Sequence, residues 1–215
     1  MAYKIKKDPI GKIPKGQLIF WLIVRLAMII CATYSFVKGD LVMGFESVFC
    51  FIFTHLWDMF QLFGGKSFIT KVPYSIMTYL NCFIAFGVVV GTTVNKFTSF
   101  DYIDVPEHFF AGFIAAAGGY ELAVVIQSKQ PKDKKISPAL ASLFALCFAV
   151  TITIAWEYYE FTMDRLYGLN LQNSAYNSES GLIDTMVDLI LGSAGALTGM
   201  FVTAFTKNKV KCKKK

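Results

Sequence analysis

The sequence predicts an all-α, polytopic membrane protein: a single bundle of six transmembrane helices with both termini in the cytoplasm. Three observations carry this. The chain has 215 residues, of which 55% are hydrophobic and only 17% charged, against about 25% charged in an average soluble domain. Six apolar stretches each approach the roughly 20 residues needed to cross a bilayer. The basic residues are distributed unequally between the connecting segments.

The six stretches are 16–37, 41–63, 73–94, 105–127, 137–160 and 181–205. Turn and charge signals separate them: Lys38-Gly39-Asp40, Gly64-Gly65-Lys66, Asn95-Lys96, and Lys129 to Lys135 with Pro131. Pro73, Pro106 and Pro138 fall near helix starts, where a missing N–H costs little. The first stretch is too long for a signal-peptide core and lacks an A-x-A-like cleavage site, so it is expected to be a retained anchor. Residues 1–215 read as a single transmembrane domain, with a short basic segment at 1–15 and a basic tail at 206–215.

With the N-terminus inside, seventeen of the 21 Lys and Arg lie on the cytoplasmic side. Three lie outside, Lys38, Lys96 and Arg165, and Arg25 lies within a span. That asymmetry predicts a multi-pass protein of the bacterial plasma membrane. It also accounts for the net charge of +6. The tail is short and directly follows an apolar span, so anionic lipid is the expected partner and nucleic acid is not.

The five cysteines show no CxxC spacing, and four lie in apolar runs, so they read as reduced, buried small hydrophobes. Gly195-x-x-x-Gly199 and Gly87-x-x-x-Gly91 permit close helix approach, within the bundle or in a homodimer. Gly64-Gly65-Lys66-Ser67 lacks the first glycine of a P-loop, since position 60 is Phe60. No HExxH and no G-x-S-x-G is present.

Carboxylates that interrupt the apolar pattern are the informative residues. Each charge near the bilayer centre costs about 2.5–3.5 kcal/mol on insertion scales, so it normally faces the bundle interior with a partner. Glu157 and Glu160 stand at i, i+3 in span five, and Asp184 and Asp188 at i, i+4 in span six. His108, near the start of span four, shares their outer depth, with Glu46 and Asp164 nearby. Several acids this close need bound protons, a basic partner or a cation. Oxygen ligands with one imidazole suit Mg²⁺, Mn²⁺ or Ca²⁺, and also accept iron or zinc. His108, Glu157, Glu160, Asp184 and Asp188 are therefore the candidate metal ligands. Glu160 is the candidate base for a metal-activated water.

A second polar group lies deeper. Glu121 is thirteen residues beyond His108, about 20 Å along a helix. Arg25 is expected to pair with Glu121 or Asp58 in a structural ion pair. The polar loop at 161–180 joins the two acid-bearing helices and is a natural lid. Trp156, Tyr158, Tyr159 and Tyr167 suit a membrane-interface belt or the grip on a lipid or sugar.

Four elements occur in order: Glu107-His108-Phe109-Phe110-Ala111-Gly112-Phe113, Tyr120-Glu121-Leu122, Trp156-Glu157-x-x-Glu160 and Asp184-Thr185-x-x-Asp188. In order and spacing they resemble the YjdF-like family of bacterial inner-membrane proteins over roughly residues 75–200. A looser similarity runs to VanZ-like membrane proteins. The resemblance implies a small polytopic plasma-membrane protein of bacterial type and supplies no reaction.

Three functions fit these features. One is a metal-binding membrane protein, possible as an enzyme, acting on a lipid-linked or cell-envelope substrate. Another is a transporter or proton-coupled carrier using the intramembrane acids as a pathway. The third is a non-catalytic lipid- or partner-binding protein with a polar core.

Overall fold

The computed structural model describes residues 13–62, 74–94, 104–127, 136–172 and 178–212. Among these residues every regular element is helical: α1 (Lys15–Lys38), α2 (Leu41–Thr54), α3 (Leu56–Leu62), α4 (Tyr74–Ile84) continuing into a π-helical segment (Ala85–Val94), α5 (Asp104–Gln127), α6 (Pro138–Tyr167) and α7 (Ser178–Cys212). Four stretches are long and apolar enough to cross a membrane: Lys15–Lys38, Val105–Gln127, Pro138–Tyr167 and Glu179–Thr206. Leu41–Thr54 and Tyr74–Val89 are shorter apolar helices.

By packing, the chain forms two compact units, Met1–Phe100 with Val125–Lys135, and Asp101–Val124 with Ile136–Lys215. In the first, α1 and α2 form a tight helical hairpin. Gly39 closes α1 at φ +79°, a conformation that favours glycine, and its N–H bonds the Phe36 carbonyl. Asp40 then caps α2 by accepting from the Met43 N–H at 3.1 Å. The buried stripe of α1 runs Trp21, Val24, Arg25, Met28, Cys31, Ala32 and Ser35. Its exposed face carries Ile19, Leu22, Ile23, Leu26, Ile29 and Ile30. A helix with polar groups inside and aliphatic groups outside suits hydrocarbon surroundings, the reverse of a soluble amphipathic helix.

The stretch expected to be one helix over 41–63 is broken. α2 ends at Thr54 and α3 starts at Leu56, with residue 63 outside the described set. The cause is local competition for carbonyls. The Thr54 hydroxyl donates to the Phe51 carbonyl at 2.7 Å, and His55 Nδ1 lies 2.8 Å from the same oxygen. The backbone N–H of His55 turns back to Ile52. Arg25 Nη2 takes up the Thr54 carbonyl at 2.7 Å and pairs with Asp58 at 2.6 Å. A break at membrane depth persists only when freed backbone groups find such partners. The expected ion pair is thus made by Arg25 and Asp58, both in the first unit. Glu121 belongs to α5 of the second.

The second unit is built on small residues. The buried positions of α6 recur every four residues: Ala141, Ala145, Ala149, Thr153 and Glu157. Ala115, Ala116, Ala149 and Ala196 form one core cluster, and Tyr120, Ala123, Ala141 and Ala145 another. Side chains this short let helix backbones approach closely. Gly195 and Gly199 lie against the backbone carbonyls of Phe109 and Phe113 on α5, so this glycine face is used within the chain.

Candidate metal centre

One layer of contacts sets the site. A side chain on Gly112 of α5 would collide with the Gly192 carbonyl of α7, and one on Gly192 would meet Thr153 of α6. The backbones of α5 and α7 therefore touch at Gly112 and Gly192, and the Thr153 side chain of α6 packs onto Gly192. One helical turn along from these positions stand His108, Glu157 and Asp188, each four residues away on its own helix and hence on the same face. The close layer aims three polar side chains from three helices into one space.

There the three converge. His108, Glu157 and Asp188 each offer a ligand-type atom, and those atoms all lie within 4.8 Å of one another. Relative exposures are 7%, 4% and 2%, low enough to exclude bulk water from the group. Both carboxylate oxygens of Glu157 are enclosed. His108 Nε2 stands 3.7 Å from Asp188 Oδ1. That is longer than a hydrogen bond. It is close to the spacing of about 3.3–3.6 Å between two donors on one tetrahedral ion.

Two acids and one imidazole share this space. Two carboxylates face one imidazole, which even when protonated compensates only one of them. Buried charge requires pairing, protonation or a metal. Imidazole nitrogen with two carboxylate oxygens is a donor set for zinc, iron or manganese and suits Mg²⁺ or Ca²⁺ less well, since those prefer oxygen throughout.

The other expected ligands lie outside this trio. Glu160 is half-buried, and its Oε1 accepts from Trp156 Nε1 at 2.8 Å. It remains within electrostatic reach of Glu157, His108 and Asp188, at the rim of the group. Asp184 is half-buried, one turn before Asp188 on α7. Glu46 lies on α2 in the first unit. Asp164 closes the turn after α6. Its two oxygens accept the N–H groups of Leu171 and Gln172 at 2.8 and 3.0 Å, and Gly168 caps the helix at φ +64°. Gln172 Nε2 then bonds the Thr185 hydroxyl on α7 at 2.9 Å. The segment read as a lid is thus partly helix and partly a pinned turn, with 173–177 outside the described residues.

Sequence reasoning did not single out Thr153 or Gly192, and named Gly112 only within the Glu107–Phe113 element. The available signal is the four-residue ladder of small residues on α6, which ends on Glu157 and not on Glu160.

The chain matches the family described as predicted membrane protein (DUF2238) over residues 16–209, nearly its whole length, and belongs to that family. A protein of Thermotoga maritima described as uncharacterized is 27% identical over 128 residues, which are 60% of this chain and 61% of that protein. The chain therefore spans about three-fifths of the length of this curated relative. No solved structure matches.

Proposed function

We propose that this DUF2238 membrane protein binds a divalent cation at His108, Glu157 and Asp188 and uses it on a lipid-linked or cell-envelope substrate. The observation that carries the reading is the convergence of three buried ligand-type groups from three helices within 4.8 Å. Lipid offers nothing to stabilise two neighbouring carboxylates, so their retention in an apolar, small-residue core requires compensation. A cation supplies it with the donors already in place. Bound there, it would contribute Lewis acidity. Asp184 completes the set of candidate ligands from one turn away. Glu160 stands at the rim, held by Trp156, where it would accept a proton from an attacking water.

The proposal keeps six membrane passes, with both ends cytoplasmic and the centre near the outer surface of a bacterial plasma membrane. The skew of Lys and Arg supports that orientation. The Gly195 and Gly199 face is already used, so a homodimer would form through another face.

One observation favours a second reading, a proton-coupled carrier. His108 and Asp188 stand near enough to share a charge at 3.7 Å, so a proton is an alternative to the cation.

Elemental analysis of detergent-purified protein separates the two. The metal reading expects about one divalent ion per chain, reduced at least tenfold in Asp188→Asn and in Glu157→Gln. Equal metal content in parent and variants removes it and leaves the proton reading.

A further inference from the structure

A second feature sits beside the centre, in the same unit. A cavity of about 530 Å³ is lined by Phe161, Asp164, Arg165, Gln172, Leu182 and Thr185, with Gly181 also in its wall. Its volume lies in the range of about 300–1,000 Å³ common for ligand sites. Phe161 is four residues from Glu157 on α6, and Thr185 three from Asp188 on α7. Both therefore lie about one turn, roughly 5 Å, beyond the candidate ligands on the same faces.

Its lining carries an unusual charge. In the second unit short of its basic tail, over residues 101–124 and 136–206, Arg165 is the only Lys or Arg, against ten acids. In so acidic a body a lone arginine would be expected to pair with a carboxylate. Among the described residues it does not. Its neighbour Asp164 gives both oxygens to backbone N–H groups. The guanidinium instead lies over the Phe161 ring at 5.3 Å. Stacking on an aromatic face leaves the N–H edge of an arginine available, and that edge matches the two oxygens of a phosphate.

We propose that this cavity is the headgroup subsite for a phosphate-bearing, lipid-anchored molecule, with Arg165 as its anion-binding group. The Gln172 amide and the Thr185 hydroxyl add polar contacts, although both now bond each other at 2.9 Å and must part to reach a ligand. Phe161, Leu169 and Leu182 add apolar lining, along which the lipid chain would run. This rests on the proposed function: it names the substrate class of the same site, whose phosphate would lie about one turn from the metal ligands.

The test is titration of detergent-purified protein with dioctanoyl phosphatidic acid, dioctanoylglycerol and inorganic phosphate, read by calorimetry with metal content measured on the same samples. The phosphatidic acid is expected to bind saturably and dioctanoylglycerol at least tenfold more weakly. Arg165→Gln is expected to lose on the order of tenfold in affinity and Arg165→Lys less. Arg165 is exposed, so neither change threatens folding. Gly181→Trp, which fills the cavity, is expected to abolish binding with Arg165 intact. Unchanged affinity in Arg165→Gln, or equal binding of dioctanoylglycerol, overturns the inference. Inorganic phosphate bound as tightly as the lipid overturns its lipid-anchored part. Asp188→Asn protein that holds no metal but still binds the phosphatidic acid supports the subsite. Parent protein that binds the lipid with no metal sinks the metal reading and leaves the subsite standing.

Discussion

Each unit buries charged groups, and the two solve the resulting problem differently. In the first, Arg25 meets Asp58 at 2.6 Å and also binds the Thr54 carbonyl. Cation and anion cancel, and the guanidinium lies 5.7 Å from the Trp21 ring. The pair joins the end of α2 to α3 across a break, so its role is accounted for by structure. In the second, His108 faces Glu157 and Asp188, one imidazole against two carboxyl groups. The packing differs too. Trp21, Trp57 and Met28 fill the first unit, whereas Ala and Gly fill the second. The difference teaches that a balanced buried pair is explained by the fold, whereas two acids beside one imidazole leave protonation or a cation as the alternatives.

Removing an acid should therefore act with opposite sign in the two units. The largest effect is expected at Asp58→Ala, which leaves Arg25 buried without its acid and costs about 3–5 kcal/mol. Chemical unfolding in mild detergent measures it, and the double change Arg25→Leu with Asp58→Leu should recover most of the loss. A loss for Asp58→Ala no greater than for an exposed acid such as Glu179 would break the contrast.

Next comes the seam. Gly112→Val forces α5 and α7 apart and is expected to cost about 1–3 kcal/mol, with metal affinity falling alongside stability. Gly16, which has nothing within 4 Å of its missing side chain, is the control and should tolerate Ala. If Gly112→Val left metal binding intact, the close layer would not be what positions the ligands.

A smaller effect sharpens the comparison most. In the presence of chelator, Glu157→Gln removes one of two facing carboxylates and should stabilise the protein by about 1 kcal/mol. With divalent cation added the sign should reverse, because the variant loses a ligand and with it the stabilisation that ligand binding confers. Thermal unfolding with and without cation reads both signs. Destabilisation under both conditions would place Glu157 with Asp58 as a structural acid. The smallest effect on binding is expected at Glu160→Gln, which should leave metal content unchanged while removing turnover, once a phosphate-bearing substrate is in hand.

Much of this was legible without coordinates, for a physical reason. Hydrocarbon imposes length, composition and charge rules on any chain that crosses it, and these are one-dimensional. The helical class, the membrane class and the rarity of buried charge can be read that way, although of the six stretches read as spans four are long helices and Leu41–Thr54 and Tyr74–Val89 are shorter ones. So can the short list of acids and the single histidine among them. The break at His55 was less legible, because a continuous apolar run over 41–63 hides competition for the Phe51 carbonyl. Which of two acids points inward was not legible either. Glu157 and Glu160 share a face at i, i+3, yet one is enclosed and the other is bound by Trp156 at the rim.

The sequence by itself determined that this chain is helical, of the membrane class and carries paired acids on single helix faces, because hydropathy and spacing along a helix are local properties. Only the tertiary structure decided that His108, Glu157 and Asp188 meet, since rotation about each helix axis is set by Gly112, Gly192 and Thr153 on three different elements. It also decided that Arg25 answers Asp58 and that Arg165 stands beside a cavity. Pairing is a property of neighbours in space, and residues 33 apart in sequence become neighbours only when helices pack.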